Sequence, residues 1–187
     1  MAIKKHSKVK FTLRKELIFI LAAIILLVVA TILLNLPNAE EQFVSKWTEA
    51  GSTITENTLY EEVSFDDLDS KLTEGEYHFV FFATPSDANS VTYFDTIISI
   101  ASLYKDVKKV YIVDCAFAMG TDREEDADFD AKLAQYEDKY GVSLDSTPSF
   151  WVFNGNTLVD TVDNYKINEE ISWATALTQM FTFAFAN

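Results

Sequence analysis

The sequence predicts an α/β domain with a mixed β-sheet and helices on both faces, preceded by a single transmembrane helix. Three observations lead to this fold class. A long apolar segment without charge occupies residues 17–36. Apolar strand patterns then alternate with helical patterns, which is typical of parallel strands joined by crossover helices. Later, Asn154-Gly155 separates two strand patterns and predicts a hairpin, so the sheet must also contain antiparallel pairs.

The apolar segment 17–36 has the length of a membrane span, because twenty residues at 1.5 Å rise cover about 30 Å. Cations occupy one flank only. Residues 1–15 contain no acid and six cations: Lys4, Lys5, Lys8, Lys10, Arg14 and Lys15. The formal net charge is −14, so residues 16–187 carry −20. This asymmetry predicts a single-pass protein of a cell membrane, with residues 1–16 as a cytoplasmic tail and an extracytoplasmic domain.

A cleaved signal peptide is the competing interpretation of this segment, because a basic flank suits both. The apolar run exceeds the roughly 7–15 residues usual in signal peptides. No A-x-A cleavage pattern follows it, and Pro37-Asn38-Ala39 is a poor substitute. No Cys stands directly after the segment, which excludes a lipoprotein-type anchor. The sequence therefore favours an uncleaved anchor in the lipid bilayer, and the low cysteine content suits a bacterial cell envelope.

Residues 37–56 predict a short membrane-proximal helix followed by a polar linker. Asn38 is suited to begin the helix as N-cap, and Gly51 to end it. Three apolar side chains share one face of this helix: Phe43, Val44 and Trp47. Such a face predicts a helix that lies at the membrane or docks on the domain. The domain itself is assigned to residues 57–187.

Within the domain, the predicted element order is β-α-β-α-β-α-β-β-α. Apolar runs predict strands at 59–63, 77–83, 109–116, 149–153 and 157–162. Apolar residues at helical spacing predict helices at 65–72, 87–104, 126–140 and 169–185. Ser64 is expected to cap the first of these helices and Asn168 the last. The run 77–83 is apolar throughout and predicts a buried central strand.

Two segments resemble a known family. Residues 139–156, KYGVSLDSTPSFWVFNGN, resemble the thioredoxin-fold segment in which a helix end is followed by a cis-proline and an apolar strand. The stretch FVFFATPSDAN resembles the family's central strand and active-site turn, and Tyr111-Ile-Val-Asp114 its third strand. The chain is therefore similar to the thioredoxin-like superfamily over about residues 57–185. The resemblance implies a thioredoxin-like mixed sheet with its active-site turn beside Thr147-Pro148.

The active-site turn departs from the family at its two cysteines. Aligned by the strand end, Ser86 stands where the nucleophilic cysteine would be, and Asn89 where the resolving cysteine would be. Disulfide exchange needs a thiolate and a second thiol, and a serine hydroxyl cannot replace either. We therefore expect a redox-inactive member without the C-x-x-C motif. Dithiol oxidoreductase activity is excluded on chemical grounds, and no cofactor is expected.

The turn has two alternative roles. Ser86 and Asp87 are both good N-cap residues for the helix that follows, which would make the turn purely structural. Alternatively, Ser86, Asp87 and Asn89 form a peptide-binding face together with Thr147 and Pro148. The resemblance implies that backbone groups beside the cis-proline are offered to an extended chain, a form of strand-like recognition.

Cys115 is the single cysteine of the chain, so no intramolecular disulfide can form. It follows Asp114 at the carboxyl end of a predicted strand, where α/β sheets place their ligands. It could act there as a lone reactive thiol. The alternative is a small buried apolar residue, which the absence of an adjoining Lys, Arg or His favours.

Other chemistries have weak support. Asp126, Asp128, Asp130 and Glu137 partly mimic a calcium loop, but Ala131 occupies the position that requires glycine, so an acidic helix start is favoured and no metal is expected. The two histidines are His6 and His78, too few to make a Ser-His-Asp site plausible. No basic stripe lies outside the tail, which argues against nucleic acid.

The C-terminal segment is aromatic: Met180, Phe181, Phe183, Ala184 and Phe185. These side chains either pack in the core or leave a surface patch for a partner or the bilayer.

Three functions remain open at this point. The first is a redox-inactive binding or accessory protein for an extracytoplasmic protein or peptide. The second is a single-thiol redox component that uses Cys115. The third is an architectural subunit of a membrane complex, held by its anchor helix or by its aromatic C-terminal segment.

Overall fold

The computed structural model describes residues 15–55, 58–115, 127–141, 148–163 and 171–185. By internal contacts the chain divides into two compact units, Met1–Asn38 and Ala39–Asn187. Thr147, Asn168 and Asp126, which the sequence analysis singled out, lie outside the described residues.

The first unit contains one helix, α1, which runs from Lys15 to Leu34. The large apolar side chains that the structure describes in it are exposed, from Leu17 and Ile18 to Leu34. The helix ends where the Asn35 side chain donates to the carbonyl of Thr31 at 2.7 Å. No helix in the described part of the chain is both long and apolar enough to span a membrane. The assignment of residues 17–36 as a membrane anchor therefore stays a prediction from the sequence.

The second unit is built on a five-stranded mixed sheet, which confirms the predicted α/β class. Its strands are β1 (Tyr60–Glu62), β2 (Tyr77–Ala83), β3 (Val110–Asp114), β4 (Ser149–Asn154) and β5 (Thr157–Asp163). Their order across the sheet is β1-β3-β2-β4-β5. Strand β3 runs parallel to both β1 and β2, whereas β4 runs antiparallel to β2 and β5. The hairpin between β4 and β5 turns at Gly155, whose φ is +57°.

Helices cover both faces of this sheet, as the sequence predicted. They are α2 (Ala39–Glu49), α3 (Phe65–Lys71), α4 (Ala88–Ala101), α5 (Ala127–Tyr140) and α6 (Trp173–Phe185). Alternate side chains of β2 enter two different cores. Phe79 and Phe81 pack with residues of α2, α4 and α6, while Val80 and Phe82 pack with α3 and with Trp151 of β4. The central strand thus joins two half-cores.

Helix α2 is part of the domain core, although the sequence analysis placed residues 37–56 in a separate membrane-proximal segment. Phe43 and Trp47 are buried, and the Trp47 ring centroid lies 4.6 Å from that of Phe94. The chain after α2 is fastened to α4, because Asp95 accepts hydrogen bonds from the Ser52 hydroxyl and from the Thr53 amide, the latter at 2.9 Å. The sequence left two locations open for this apolar face, the membrane surface and the domain. In the structure, the face packs against the domain.

Helix caps follow the sequence in one case and differ in another. Ser64 caps α3, since its hydroxyl accepts the Asp67 amide at 3.2 Å. The last helix was predicted to begin near residue 169, but α6 begins at Trp173. Ser172 caps it by accepting the Thr175 amide at 3.2 Å. Ser and Asn are equally good caps, so local sequence did not distinguish the two starts.

Replacing Trp47 with alanine tests the role of α2. Because Trp47 is 1% exposed and contacts Phe94, we expect Trp47→Ala to lower the free energy of unfolding by about 3–5 kcal/mol. Thr48→Ala, at an exposed position of the same helix, should change it by less than about 0.5 kcal/mol. Urea denaturation of the full chain in detergent measures both values. Equal small effects would show that α2 does not contribute to the core.

Candidate binding face at the carboxyl end of the central strand

The sheet register brings the predicted turn between two neighbouring strands. Ala83, the last residue of β2, lies beside Asp114 of β3. On the other side, Phe82 lies beside Ser149 of β4, and buried Pro148 directly precedes Ser149. The turn at residues 84–87 therefore leaves the sheet with Pro148 on one side and the end of β3 on the other.

Hydroxyl groups hold the turn together. The side-chain oxygens of Thr84 and Ser86 are 3.0 Å apart, and the Ser86 amide donates to the Thr84 hydroxyl at 3.4 Å. The Thr84 amide donates to the hydroxyl of Ser90 at 3.3 Å, and the Asp87 amide donates to the Thr84 carbonyl at 3.2 Å. Thr84 and Ser90 are both buried polar residues whose hydrogen-bonding groups are satisfied in this way.

Asp87, and not Ser86, is the N-cap of α4. Its carboxylate accepts the amide of Ser90 at 2.7 Å, and its carbonyl accepts the amide of Val91 at 3.1 Å. Asp87 has the extended backbone expected of an N-cap, with φ −106° and ψ 123°. Both residues suit this role by residue type, and the structure assigns it to Asp87. Ser86 is thereby left exposed at the tip of the turn.

Two side chains of the predicted face are available to a partner. Ser86 lies in the turn and Asn89 in the first turn of α4, and both are exposed. Together they provide hydroxyl and amide groups that can donate and accept hydrogen bonds. Asp87 is committed to capping, and Pro148 is buried. The face can therefore form polar contacts, but these residues provide no thiol.

Cys115 lies next to this region but points into the protein. It is 1% exposed, and its thiol donates weakly to the Val113 carbonyl at 3.5 Å. Its amide donates to the Ala83 carbonyl at 2.9 Å, which fixes the end of β3 against β2. Burial raises the pKa of the Cys115 thiol, and the neighbouring Asp114 carboxylate raises it further. This environment disfavours a thiolate and argues against the single-thiol redox function.

A charged group at the same edge was not found from the sequence. Lys46 of α2 pairs with Asp114 at the end of β3. Glu62, at the end of β1, lies near both: burial raises the pKa of its carboxyl, Lys46 lowers it and Asp114 raises it. The residues are far apart in the chain, so only the strand order brings them together. A lysine on the polar side of an amphipathic helix carries no local signal of such a partner.

The remaining candidates contribute nothing to this face. The Thr73 amide donates to Nε2 of His78 at 2.9 Å, so this buried histidine has a structural partner near the start of β2. Within the described ranges, no group of three or more His, Cys, Asp or Glu side chains is arranged to hold a metal ion. Asp128 and Asp130 belong to the first turn of α5, in line with the acidic helix start that the sequence favoured.

The strand order, the strand directions and the turn after the central strand define the class: a thioredoxin-like α/β fold. No protein-family model and no curated protein matches the sequence.

Solved structures similar to this chain are thioredoxin-fold proteins. Thioredoxin f2 of Chlamydomonas reinhardtii is 14% identical with a TM-score of 0.47, covering 70% of this chain and 99% of that one. Plasmodium falciparum thioredoxin is 18% identical with a TM-score of 0.43, covering 66% and 97%. Malassezia sympodialis thioredoxin is 14% identical with a TM-score of 0.44, covering 70% and 94%.

The cap assignment predicts different effects at adjacent residues. Asp87→Ala removes the acceptor for the Ser90 amide, and we expect it to lower the free energy of unfolding by about 1 kcal/mol. Ser86→Ala, at an exposed position, should lower it by less than about 0.5 kcal/mol. Asp87→Asn keeps an acceptor and serves as the control in urea denaturation. A larger loss at Ser86 than at Asp87 would contradict the assignment.

The burial of Cys115 predicts an unreactive thiol in the folded protein. At pH 8 an exposed cysteine with the ordinary pKa of about 8.5 is partly thiolate, but the raised pKa keeps Cys115 protonated. A chromogenic disulfide reagent should therefore react only after urea unfolds the chain. A reaction in the native protein as fast as in the unfolded one would restore the single-thiol hypothesis.

Proposed function

We propose that this chain is a membrane-anchored, redox-inactive thioredoxin-like binding protein. In this proposal the face at the carboxyl end of β2 binds an extended segment of a protein or peptide partner outside the membrane. One observation carries the proposal: the turn at residues 84–87 is built from hydroxyl groups, while the single cysteine of the chain is buried. A turn of this composition can bind a partner but cannot exchange disulfides.

The organisation of the turn supports a binding role. The hydrogen bonds of Thr84, Asp87 and Ser90 fix the backbone, so little conformational entropy is lost when a partner binds. Ser86 and Asn89 remain exposed beside this fixed backbone. Buried Pro148 borders the face from the side of β4, where the resemblance implies that an extended chain pairs.

The membrane anchor is a separate part of the proposal and rests on the sequence. Residues 17–36 contain no charge, and six cations precede them. The described apolar side chains of α1 are exposed along the helix, which suits a lipid environment better than water. The distribution of cations supports a cytoplasmic N-terminus and an extracytoplasmic domain.

Photo-crosslinking in intact cells tests the binding face. A photoreactive amino acid at exposed Asn89 should capture a partner, whereas the same probe at exposed Ser99, in the last turn of α4, should not. Asp87 is unsuitable for the probe because its replacement would remove the helix cap. Ser86→Ala should reduce the yield at residue 89, because a contact on the same face is lost.

Two results would contradict the proposal. Equal capture from residues 89 and 99 would show that the turn is not the interface. The second result comes from a secreted chain that lacks residues 17–36. If this chain is folded but no longer captures the partner at residue 89, the protein would act as an architectural subunit whose contacts depend on the anchor. A binding protein should still capture its partner when released from the membrane.

A further inference from the structure

The edge of the sheet opposite the binding face carries an exposed apolar surface. Strand β2 begins there with Tyr77, whose ring centroid lies 6.4 Å from those of Phe183 and Phe185 in the last turn of α6. Tyr104, in the loop after α4, reaches the same turn: its hydroxyl is 2.9 Å from that of Thr182. We call this the amino-edge surface, formed by Tyr77, Leu103, Tyr104, Phe183 and Phe185.

This surface exposes large apolar groups that the fold does not use. Leu103 is 77% exposed and Phe183 is 55% exposed. Tyr77, Tyr104 and Phe185 are half-buried beside them. Tyrosine rings are enriched at the boundary between lipid and water, and phenylalanine and leucine side chains are typical of the apolar faces that bury into it.

The covalent chain enters the domain at the same edge. The ring of Phe43, one turn after Ala39, lies 5.3 Å from that of Tyr60, the first residue of β1. Ala39 itself lines a groove of about 380 Å³ that extends along β1 as far as Glu62 and includes Lys109, the residue before β3 begins. Lys46, further along α2, reaches Asp114 at the opposite edge. Helix α2 therefore runs from the amino edge towards the carboxyl edge.

Few residues separate this entry point from the apolar segment. Residues 37 and 38 alone lie between residues 17–36 and Ala39. A connection of two residues is short, at no more than about 3.5 Å per residue. The proposed anchor therefore joins the domain at its amino edge.

Charge at this edge is largely balanced, although the domain as a whole is acidic. Lys71, Lys108 and Lys109 line a second groove of about 300 Å³. They pair with two acids: Lys71 with Glu61 at 2.7 Å, Lys108 with Glu76 at 2.5 Å, and Lys109 with Glu61. Exposed Glu74 and Asp106 lie in the flanking loops and limit any attraction to anionic lipid. Apolar contact must therefore provide the main part of the binding.

We propose that the amino-edge surface docks on the lipid bilayer, with Leu103 and Phe183 inserted among the headgroups. This inference rests on the proposed membrane anchor and adds an orientation to it. Strand β2 has seven residues and so spans about 23 Å. Docking at one end of the strand holds Ser86 and Asn89 at the other end, facing away from the membrane and open to a partner.

Fluorescence quenching by nitroxide lipids tests the orientation. The full chain carries Cys115→Ala and one fluorescent label. It is reconstituted in vesicles made from phosphatidylcholine and phosphatidylglycerol in a four-to-one ratio. Labels replace Lys105 at the amino edge, Asn89 at the binding face or Ile25 in α1. We expect the labels at residues 25 and 105 to lose most of their fluorescence and the label at residue 89 to keep most of it. Leu103→Glu with Phe183→Glu should restore the signal at residue 105.

The outcomes separate the two proposals. Quenching at residue 25, with residue 105 quenched no more than residue 89, would overturn the docking surface while supporting the anchor. Quenching at residue 105 that survives the double glutamate variant would also overturn insertion of these side chains. No quenching at residue 25 would overturn the anchor, and the docking surface with it. Because the substituted surface positions are exposed, circular dichroism should show unchanged folding.

Discussion

The structure depends on one strand that is buried on both faces. Six of the seven residues of β2 are buried, from His78 to Ala83. The ring of Phe79 lies 4.5 Å from that of Phe181 in α6, while the ring of Phe82 lies 4.7 Å from that of Trp151 on the other face. Without helices on both sides, these aromatic rings would be exposed to water. The alternation of side chains along a single strand therefore requires the three-layer arrangement.

The same strand positions the candidate binding face. Its hydrogen bonds to β3 and β4 fix the position of Ala83, and the turn that follows projects between Asp114 and Pro148. The turn keeps its shape through the Thr84, Asp87 and Ser90 hydrogen bonds, none of which needs a thiol. The geometry of the face therefore comes from the sheet and the helix cap. The exposed apolar groups of the amino-edge surface lie at the other end of the strand, where the chain enters the domain.

Sequence patterns predicted the sheet well, because long apolar runs such as residues 77–83 leave little alternative to a buried strand. They did not decide between partners for Phe43 and Trp47, because an amphipathic face fits a membrane surface and a protein core equally well. Adjacent cap residues such as Ser86 and Asp87 were likewise indistinguishable. The Lys46 and Asp114 pair depends on strand order, which is a tertiary property. The structure was therefore needed to identify which side chains of the candidate site are exposed. The absence of cysteines from the turn can be read from the sequence alone.

Native-state hydrogen exchange on the full chain tests the central role of β2 most directly. Amides that lie within the innermost layer of a fold exchange only when the whole domain unfolds. The opening free energy of the Phe79 to Phe82 amides should therefore equal the free energy of unfolding from urea denaturation. The Ser86 amide should exchange through a local opening with a much lower free energy. If the amides of β2 exchanged through a local opening well below the global free energy of unfolding, the central strand would not be what holds the two half-cores and the binding face together.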